Sequence, residues 1–583
     1  MTLAAAILIS FLAVRGFRFD VTADGFSLND PESFFWLILM LFFIWVITIS
    51  RKDTDKRLKI YSFLFSVITA LFFCLGISFE KRESLKWVWE SRSQLLNYLN
   101  LLFSHIVLYY CSSFLLFRFL RNAQIGDVTG ISGKFSAKRV LLIWVLFLIA
   151  YIPWYLYCYP ANMTYDSAAQ VYDAIHTEKL SNHHSAFLDL LLRCILLPIE
   201  KFTGSLQTGI GVTSFLQMAL MTLIFALCFE RITHYIKNRL LCGLIFAWFA
   251  LYPVNTLYSV TLWKDIPFSI CFLGLLLCVD AASENEDLFF HSKTSLFWLT
   301  AAMVLLPLTR HNGILITIFL PLFFLLRFPA FKRQILAAAG ITWGILCVWN
   351  FLLSPLLNVE KVESGLILSL PQQQMARVIS EHYEEIDRRD LELYDSWYDV
   401  PEIWREYNGT FADPVKVHFR MDQYHRDPKA FFSLWLKFIL KYPVTCLEAF
   451  LHNNYGYWFP ETQYWTTFCG VVLGQPLGDI HSEPLYTASI IDRIYKWHAY
   501  HQDLKLPLLP LLTSRGACWW LWLFCGFWCL YQNRKKFILF LPGLLLWLSI
   551  LPSPVYNEFR YVYGLFIGLP QLMAAVLTSG SRK

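Results

Sequence analysis

Long apolar runs recur along the chain, separated by short charged knots. They lie at about 1–16, 34–50, 60–79, 96–117, 140–158, 211–229, 240–257, 266–280, 294–309, 312–327, 335–354, 507–531, 537–551 and 560–578. The pattern predicts an all-α, multi-pass membrane protein with 14 spans. Runs shorter than the hydrocarbon thickness must extend into their polar flanks. One further run, 186–200 (AFLDLLLRCILLPIE), is apolar enough to span but would invert every later loop. Its Asp189 and Arg193 fall on one helical face, which favours a short helix packed at the outer surface.

Composition agrees with the pattern. The chain is 56% hydrophobic and only 16% charged, too little polar surface to cover a soluble core of this size. The net charge of +6 matters less than its placement. Basic residues gather at 51–59, 118–139, 231–239, 327–333 and 532–536, each beside an apolar run. That is the positive-inside pattern, and it needs no nucleic-acid partner. With those loops cytoplasmic, both termini lie inside, and 159–185, 255–265, 309–312, 355–506 and 552–560 lie outside. Met1–Val14 lacks a basic leader region and reads as a retained first helix. The 14 cysteines sit mostly singly in apolar runs, as Cys74, Cys242 and Cys278 do. They read as buried side chains rather than disulfides or metal ligands.

Four regions follow: accessory helices over 1–139, a seven-helix module over 140–354 with its first outer loop at 159–210, an extracytoplasmic, mostly helical domain over 355–506, and C-terminal helices over 507–583. Within the outer domain, the aromatic stretch 431–460 suits a segment resting on the membrane, while Trp435, Trp458 and Trp465 suit such an interface or equally a small protein core.

The candidate chemistry lies in the outer loops. From Thr164 a helix is expected, with Thr164 or Asp166 near its start and Asp166, Gln170 and Asp173 on one face. A carboxylate there can take a proton from a sugar hydroxyl; the plainer alternative is that Asp166 caps the helix or faces water. His183 and His184 follow, suited to orienting a phosphate or to forming an ordinary surface turn. No third ligand stands at a metal-binding spacing. Lys264 and Asp265 open a span within YSVTLWKDIPF, and Arg310 lies in LTRHNG between two spans. Tyr556, Asn557, Glu558, Arg560 and Tyr561 precede the last span. Charges held this close to hydrocarbon are costly unless paired or used. Arg310 and Arg560 have the forked donors that grip phosphate oxygens. Salt bridges, Lys264 with Asp166 or Arg560 with Glu558, are the structural alternative.

At these residues the chain resembles the GT-C superfamily of membrane glycosyltransferases, which use polyprenyl-phosphate sugars. In that fold an aspartate lies in the first outer loop of a seven-helix module, ahead of an H-P-P-like turn. Tyr165-Asp166 and His183-His184-Ser185 match that order, with Ser185 in place of proline. Arg310 and Arg560-Tyr561 resemble the group's lipid-phosphate binders. The closest likeness is to a bacterial multi-pass family, carried also by PQQQMARV at 371–378 and NNYGYW at 453–458. The resemblance covers about 140–580. It implies an inverting transferase with Asp166 as base, and with Tyr165, His183, His184, Lys264, Asp265, Arg310, Arg560 and Tyr561 around the substrates. The donor would be a polyprenyl-phosphate sugar. The acceptor would be a cell-surface glycan, teichoic acid or glycolipid at the outer membrane face. Lys264 beside Asp265 argues against a tight divalent site, so neither cofactor nor metal is expected.

Two other classes share most of these features. A flippase of lipid-linked sugars uses similar basic grooves but favours internal repeats, and none is visible. A ligase or polymerase acting on lipid-pyrophosphate glycans differs only in its donor.

Overall fold

The computed structural model describes residues 3–17, 19–22, 25–28, 33–123, 136–176, 180, 182, 185–360, 368–462, 464–467, 469, 484–505, 509–552, 554–555 and 557–578. His183, His184, Tyr556 and the side chain of Tyr165 lie outside them. The regular structure of the described residues is helical apart from one antiparallel hairpin, Phe19–Thr22 with Gly25–Leu28, and an isolated parallel bridge between Asn162 and Thr261.

The N-terminal group comprises α1 (Leu3–Phe17), α2 (Ser33–Lys52), α3 (Lys56–Arg82) and α4 (Arg92–Asn122). Next come α5 (Ala137–Tyr157), α6 (Tyr165–His176), α7 (Ala186–Thr203), α8 (Leu206–Tyr235), α9 (Arg239–Leu251), α10 (Pro253–Ser259), α11 (Asp265–Glu284), α12 (Lys293–Thr309), α13 (Gly313–Arg327) and α14 (Lys332–Val348). The domain that follows includes α15 (Ser369–His382), α16 (Pro428–Lys441) and α17 (Pro443–Asn454). After it lie α18 (Ser489–Ala499), α19 (Arg515–Gln532), α20 (Leu541–Ile550) and α21 (Tyr563–Leu577).

Every apolar run is largely helical, yet the span count is coarser than 14. Eight helices among the described residues are long and apolar enough to cross a membrane, and up to ten if each of two bent pairs counts as one. The difference has local causes. Pro253 follows Tyr252, whose extended backbone ends α9, so the run at 240–257 breaks into α9 and α10 with a 42° bend. The run at 507–531 is split: a single helical turn at Leu509–Leu512 is followed by α19, which starts only at Arg515, capped by the Ser514 hydroxyl. The helices at 3–17, 293–309 and 313–327 are apolar but short. The other bent pair is α16 with α17, folded back at 104° between Lys441 and Pro443.

One continuous apolar core runs through the bundle, with Phe272, Leu276, Trp522, Leu546 and Ile567 buried in it. The domain after α14 has a core of its own around Met375, Trp397, Phe431 and Phe438. Arg377 of α15 fastens that domain to the N-terminal group: it donates to Glu448 (2.8 Å) and to the Glu83 carbonyl (3.2 Å). Glu448 in turn accepts from the Leu85 amide at 3.0 Å.

Helix α11 meets α21 along its length, bonded to it at one end and close to the turn entering it at the other. At one end Asp280 accepts from Arg231 (2.7 Å), Tyr235 (2.7 Å) and Gln571 (2.6 Å). Buried at 0% exposure, this carboxylate is fully satisfied, which is what makes a charge tolerable among apolar helices. The other end of the same helix carries Lys264 and Asp265.

Candidate functional site

Four chain segments converge at that second end, and each is held by its own local structure. The strand-like stretch before α6 pairs with the one before α11. The Asn162 amide donates to the Val260 carbonyl (2.9 Å), Leu262 N–H to the Asn162 carbonyl (3.3 Å), and Asn162 Nδ2 to Thr261 Oγ1 (2.8 Å). This pairing brings the N-termini of α6 and α11 together. Thr164, not Asp166, closes α6: its hydroxyl accepts from Ser167 N–H while the Ser167 hydroxyl accepts from Thr164 N–H. Thr164 Oγ1 also accepts from Trp263 Nε1 at 2.7 Å. Asp166 is therefore released from capping and sits in the first turn, as Asp265 does in α11. Both carboxylates gain from the positive helix ends.

The third segment is the turn between α12 and α13. Arg310 follows the end of α12, and the chain reverses within Arg310-His311-Asn312 because Gly313 packs against the preceding helix. A Cβ on Gly313 would lie 2.5 Å from the Leu306 carbonyl carbon, so glycine is required there. His311 Nε2 contacts the Asn182 carbonyl (3.1 Å), and Asn312 donates to the Ser549 carbonyl (3.0 Å). The fourth segment is the turn entering α21. Glu558 N–H donates to the Tyr457 hydroxyl (3.1 Å), and Gly456 lets the chain lie close to Asn557.

The result is a compact charge cluster. Arg560 contacts both Asp166 and Glu558 and lies 3.9 Å from Asp265. Arg310 Nη1 stands 2.6 Å from Asp265 Oδ1. That contact is close in distance but off the hydrogen-bonding angle, so neither Asp265 oxygen has a directional partner. Both guanidinium groups lie over the Tyr561 ring, at 4.2 Å for Arg310 and 5.3 Å for Arg560, and Arg560 also lies over Trp263 at 5.2 Å. Lys264 feels Asp265, Arg310, Asp166 and Arg560, and burial pulls its amine below the usual lysine range. Burial likewise pushes the Glu558 carboxyl up, with Arg560 opposing. The acids Asp166, Asp265 and Glu558 balance the bases Lys264, Arg310 and Arg560. Asp265 is fully buried, whereas the Asp166 side chain is 27% exposed and is the open side of the cluster.

All the described residues singled out from the sequence meet here: Asp166, Lys264, Asp265, Arg310, Arg560 and Tyr561. The Arg560–Glu558 ion pair expected as an alternative is present. Asp166 pairs with Arg560.

Two features differ from expectation. Asp189, expected on a helix at the outer surface, points into the protein. Arg193 reaches the Ala174 carbonyl (2.7 Å), while Asp189 is wholly buried, with no hydrogen bond of good geometry. Burial raises its carboxyl to about 7, against the stabilising pull of Gln170 and Lys264. Asp189 faces inward because the apolar stripe of α7, with Leu196 in the small core shared by α6 and α8, turns that side toward the protein. The second is Arg515, also buried, which donates to the Trp465 carbonyl (3.0 Å) and feels Glu558. Its position at the start of an apolar helix was the available signal.

A family model described as a family of unknown function, DUF6020, matches residues 164–583. The chain belongs to the DUF6020 family. The match opens at Thr164, one residue before Tyr165-Asp166, so it covers every charged residue of the cluster; it excludes α1 to α5 and the Asn162 pairing. For this DUF6020 chain, no curated protein and no solved structure matches.

Proposed function

We propose that this protein is an inverting membrane glycosyltransferase that moves a sugar from a polyprenyl-phosphate donor to an extracytoplasmic glycan. The observation that carries the reading is the pair of arginines stacked on Tyr561 and bound to carboxylates at the end of the bundle. A guanidinium pair on an aromatic face offers forked donors to a phosphodiester and remains charged in a poorly hydrated setting.

The ion pairs support one order of events. A donor phosphate that engages Arg560 competes with Asp166 for the same guanidinium. Asp166, the most exposed acid of the cluster, is thereby freed beside the bound donor, where it takes the proton of an acceptor hydroxyl as that oxygen attacks the anomeric carbon. The glycosidic bond to phosphate breaks on the opposite face, which inverts the anomeric centre. Arg310, Arg560 and Lys264 stabilise the phosphate that leaves. His183 and His184 follow Asp166 in the sequence, and the resemblance implies that they act on the substrates. The proposed reaction needs no divalent ion: Arg310 and Lys264 already occupy the surroundings of Asp265, the second carboxylate such an ion would use.

The test is binding and turnover in reconstituted membranes with labelled prenyl-phosphate sugars. Arg310→Ala and Arg560→Ala each weaken prenyl-phosphate binding by about ten-fold or more, the worth of one charge-assisted hydrogen bond. Binding of a neutral sugar acceptor stays unchanged, and turnover survives exhaustive chelation. Equal prenyl-phosphate affinity in both alanine variants would reduce the arginines to helix packing, and loss of turnover with chelator that Mg²⁺ restores would recast Asp166 and Asp265 as metal ligands.

A further inference from the structure

Helix α18 is fixed at a defined level of the molecule by the last turn of α5. Leu485 N–H donates to the Leu156 carbonyl (2.8 Å), the Tyr157 hydroxyl donates to Asp492 (2.8 Å), and the Tyr157 and Tyr495 rings lie 5.1 Å apart. Since α5 is a membrane-crossing helix and Tyr157 its final residue, α18 sits where the hydrocarbon ends. One side of α18 is turned inward through Ile491 and His498. Exposed to the outside are Leu485 and Tyr486 just before α18, Ile490 within it, at 62%, and Tyr500 just after it. Directly along α5, Ile149 is 61% exposed, on the stripe that a spanning helix turns to lipid. The contacts to Leu156 and Tyr157 set the exposed apolar side chains of this segment at the level where α5 ends. Arg493 and Lys496 are exposed on the same short helix, and Lys496 also bonds Asp492 at 2.9 Å.

We propose that the segment from Leu485 to Tyr500 is an in-plane membrane anchor, with α18 lying in the boundary between headgroups and acyl chains. Leu485, Tyr486 and Ile490 enter the lipid, and Arg493 meets headgroup phosphates. Apolar side chains in lipid beside cations at the surface are the arrangement that holds an amphipathic helix in this plane. Tyr486, Tyr495 and Tyr500 supply rings with an apolar body and a polar tip, suited to the same depth. The anchor adds a lipid contact on the C-terminal side of the domain after α14, remote in sequence from that domain's fastening to the N-terminal group through Arg377.

Photocrosslinking tests this in the intact protein, reconstituted in nanodiscs of phosphatidylcholine and phosphatidylglycerol. Benzoylphenylalanine at Leu485 or Ile490, both surface positions, should give phospholipid adducts by mass spectrometry. The same probe at Arg405, on the exposed surface of the outer domain, should give none. Arg493→Gln should lower the phosphatidylglycerol share of the adducts by up to about five-fold, from roughly 1 kcal/mol per interfacial charge. Absence of lipid adducts at Ile490, or adducts to a second copy of the chain in their place, overturns the anchor. An unchanged lipid ratio in Arg493→Gln removes the headgroup contact.

Discussion

At the scale of single residues, Asp166 and Asp189 divide the acid chemistry of this end of the bundle. Asp166 is partly exposed and ion-paired; Asp189 is buried, and its proton is held to about pH 7. As the proposed base, Asp166 is expected to lose turnover by about 10²–10⁴-fold on replacement with Asn. Donor binding should persist, because Asn removes the competitor for Arg560 without removing the arginine. Near-normal turnover in reconstituted membranes would return Asp166 to a structural ion pair. For Asp189 the sign is opposite to that of an ordinary paired carboxylate. Its proton affinity is higher folded than unfolded, so its contribution to stability is complete at low pH and is lost as pH climbs toward 7. Asp189→Asn, which mimics the protonated form, should flatten that fall and raise the apparent melting temperature at pH 8, by the equivalent of about 1–3 kcal/mol. A melting profile with unchanged pH dependence would show that Asp189 is hydrated after all. The sequence made the candidates of the cluster visible, because charged residues beside apolar runs are conspicuous. It hid Asp189, since a four-residue spacing to Arg193 says which face a side chain shares but not whether that face is inward.

At the scale of elements, apolar length fixes where helices lie, while proline, glycine and capping residues fix where they stop. The interruption at Tyr252-Pro253 and the delayed start of α19 depend on local backbone choices inside otherwise uniform apolar runs. Hydropathy averages over such breaks, which is why the 14-span reading and the eight-to-ten helices of sufficient length part company. The short turn at Arg310-His311-Asn312, by contrast, was legible in LTRHNG, since only a glycine permits so close a return. Sidedness is the element-scale prediction. Cysteine accessibility at Glu385 should report the outer face and at Lys535 the cytoplasmic face. Asn557 is a poor probe because it is 1% exposed. Labelling of Glu385 and Lys535 from the same side would undo the proposed outer placement of the cluster.

At the scale of the whole molecule, the two ends of α11 have a joint consequence. A helix pair bonded through Asp280–Gln571 at one end, with Asp265 held near Arg560 of the turn entering α21 at the other, behaves as a strut: sliding by a turn would unmake the first contact and part the second. A carrier that presents one site alternately to two sides of a membrane requires two halves that rock about that site. A transferase requires no such stroke; its lipid donor need only enter and leave beside a stationary frame. Gly568 of α21 stands against Leu276 of α11, where an added Cβ would approach the leucine side chain to 3.1 Å. Cysteines at these two positions, joined by oxidation, should therefore leave sugar transfer within about two-fold of the reduced protein, since no motion of the strut is spent in turnover. Arrest by the crosslink, with recovery on reduction, would make the pair a moving part and turn the reading toward transport.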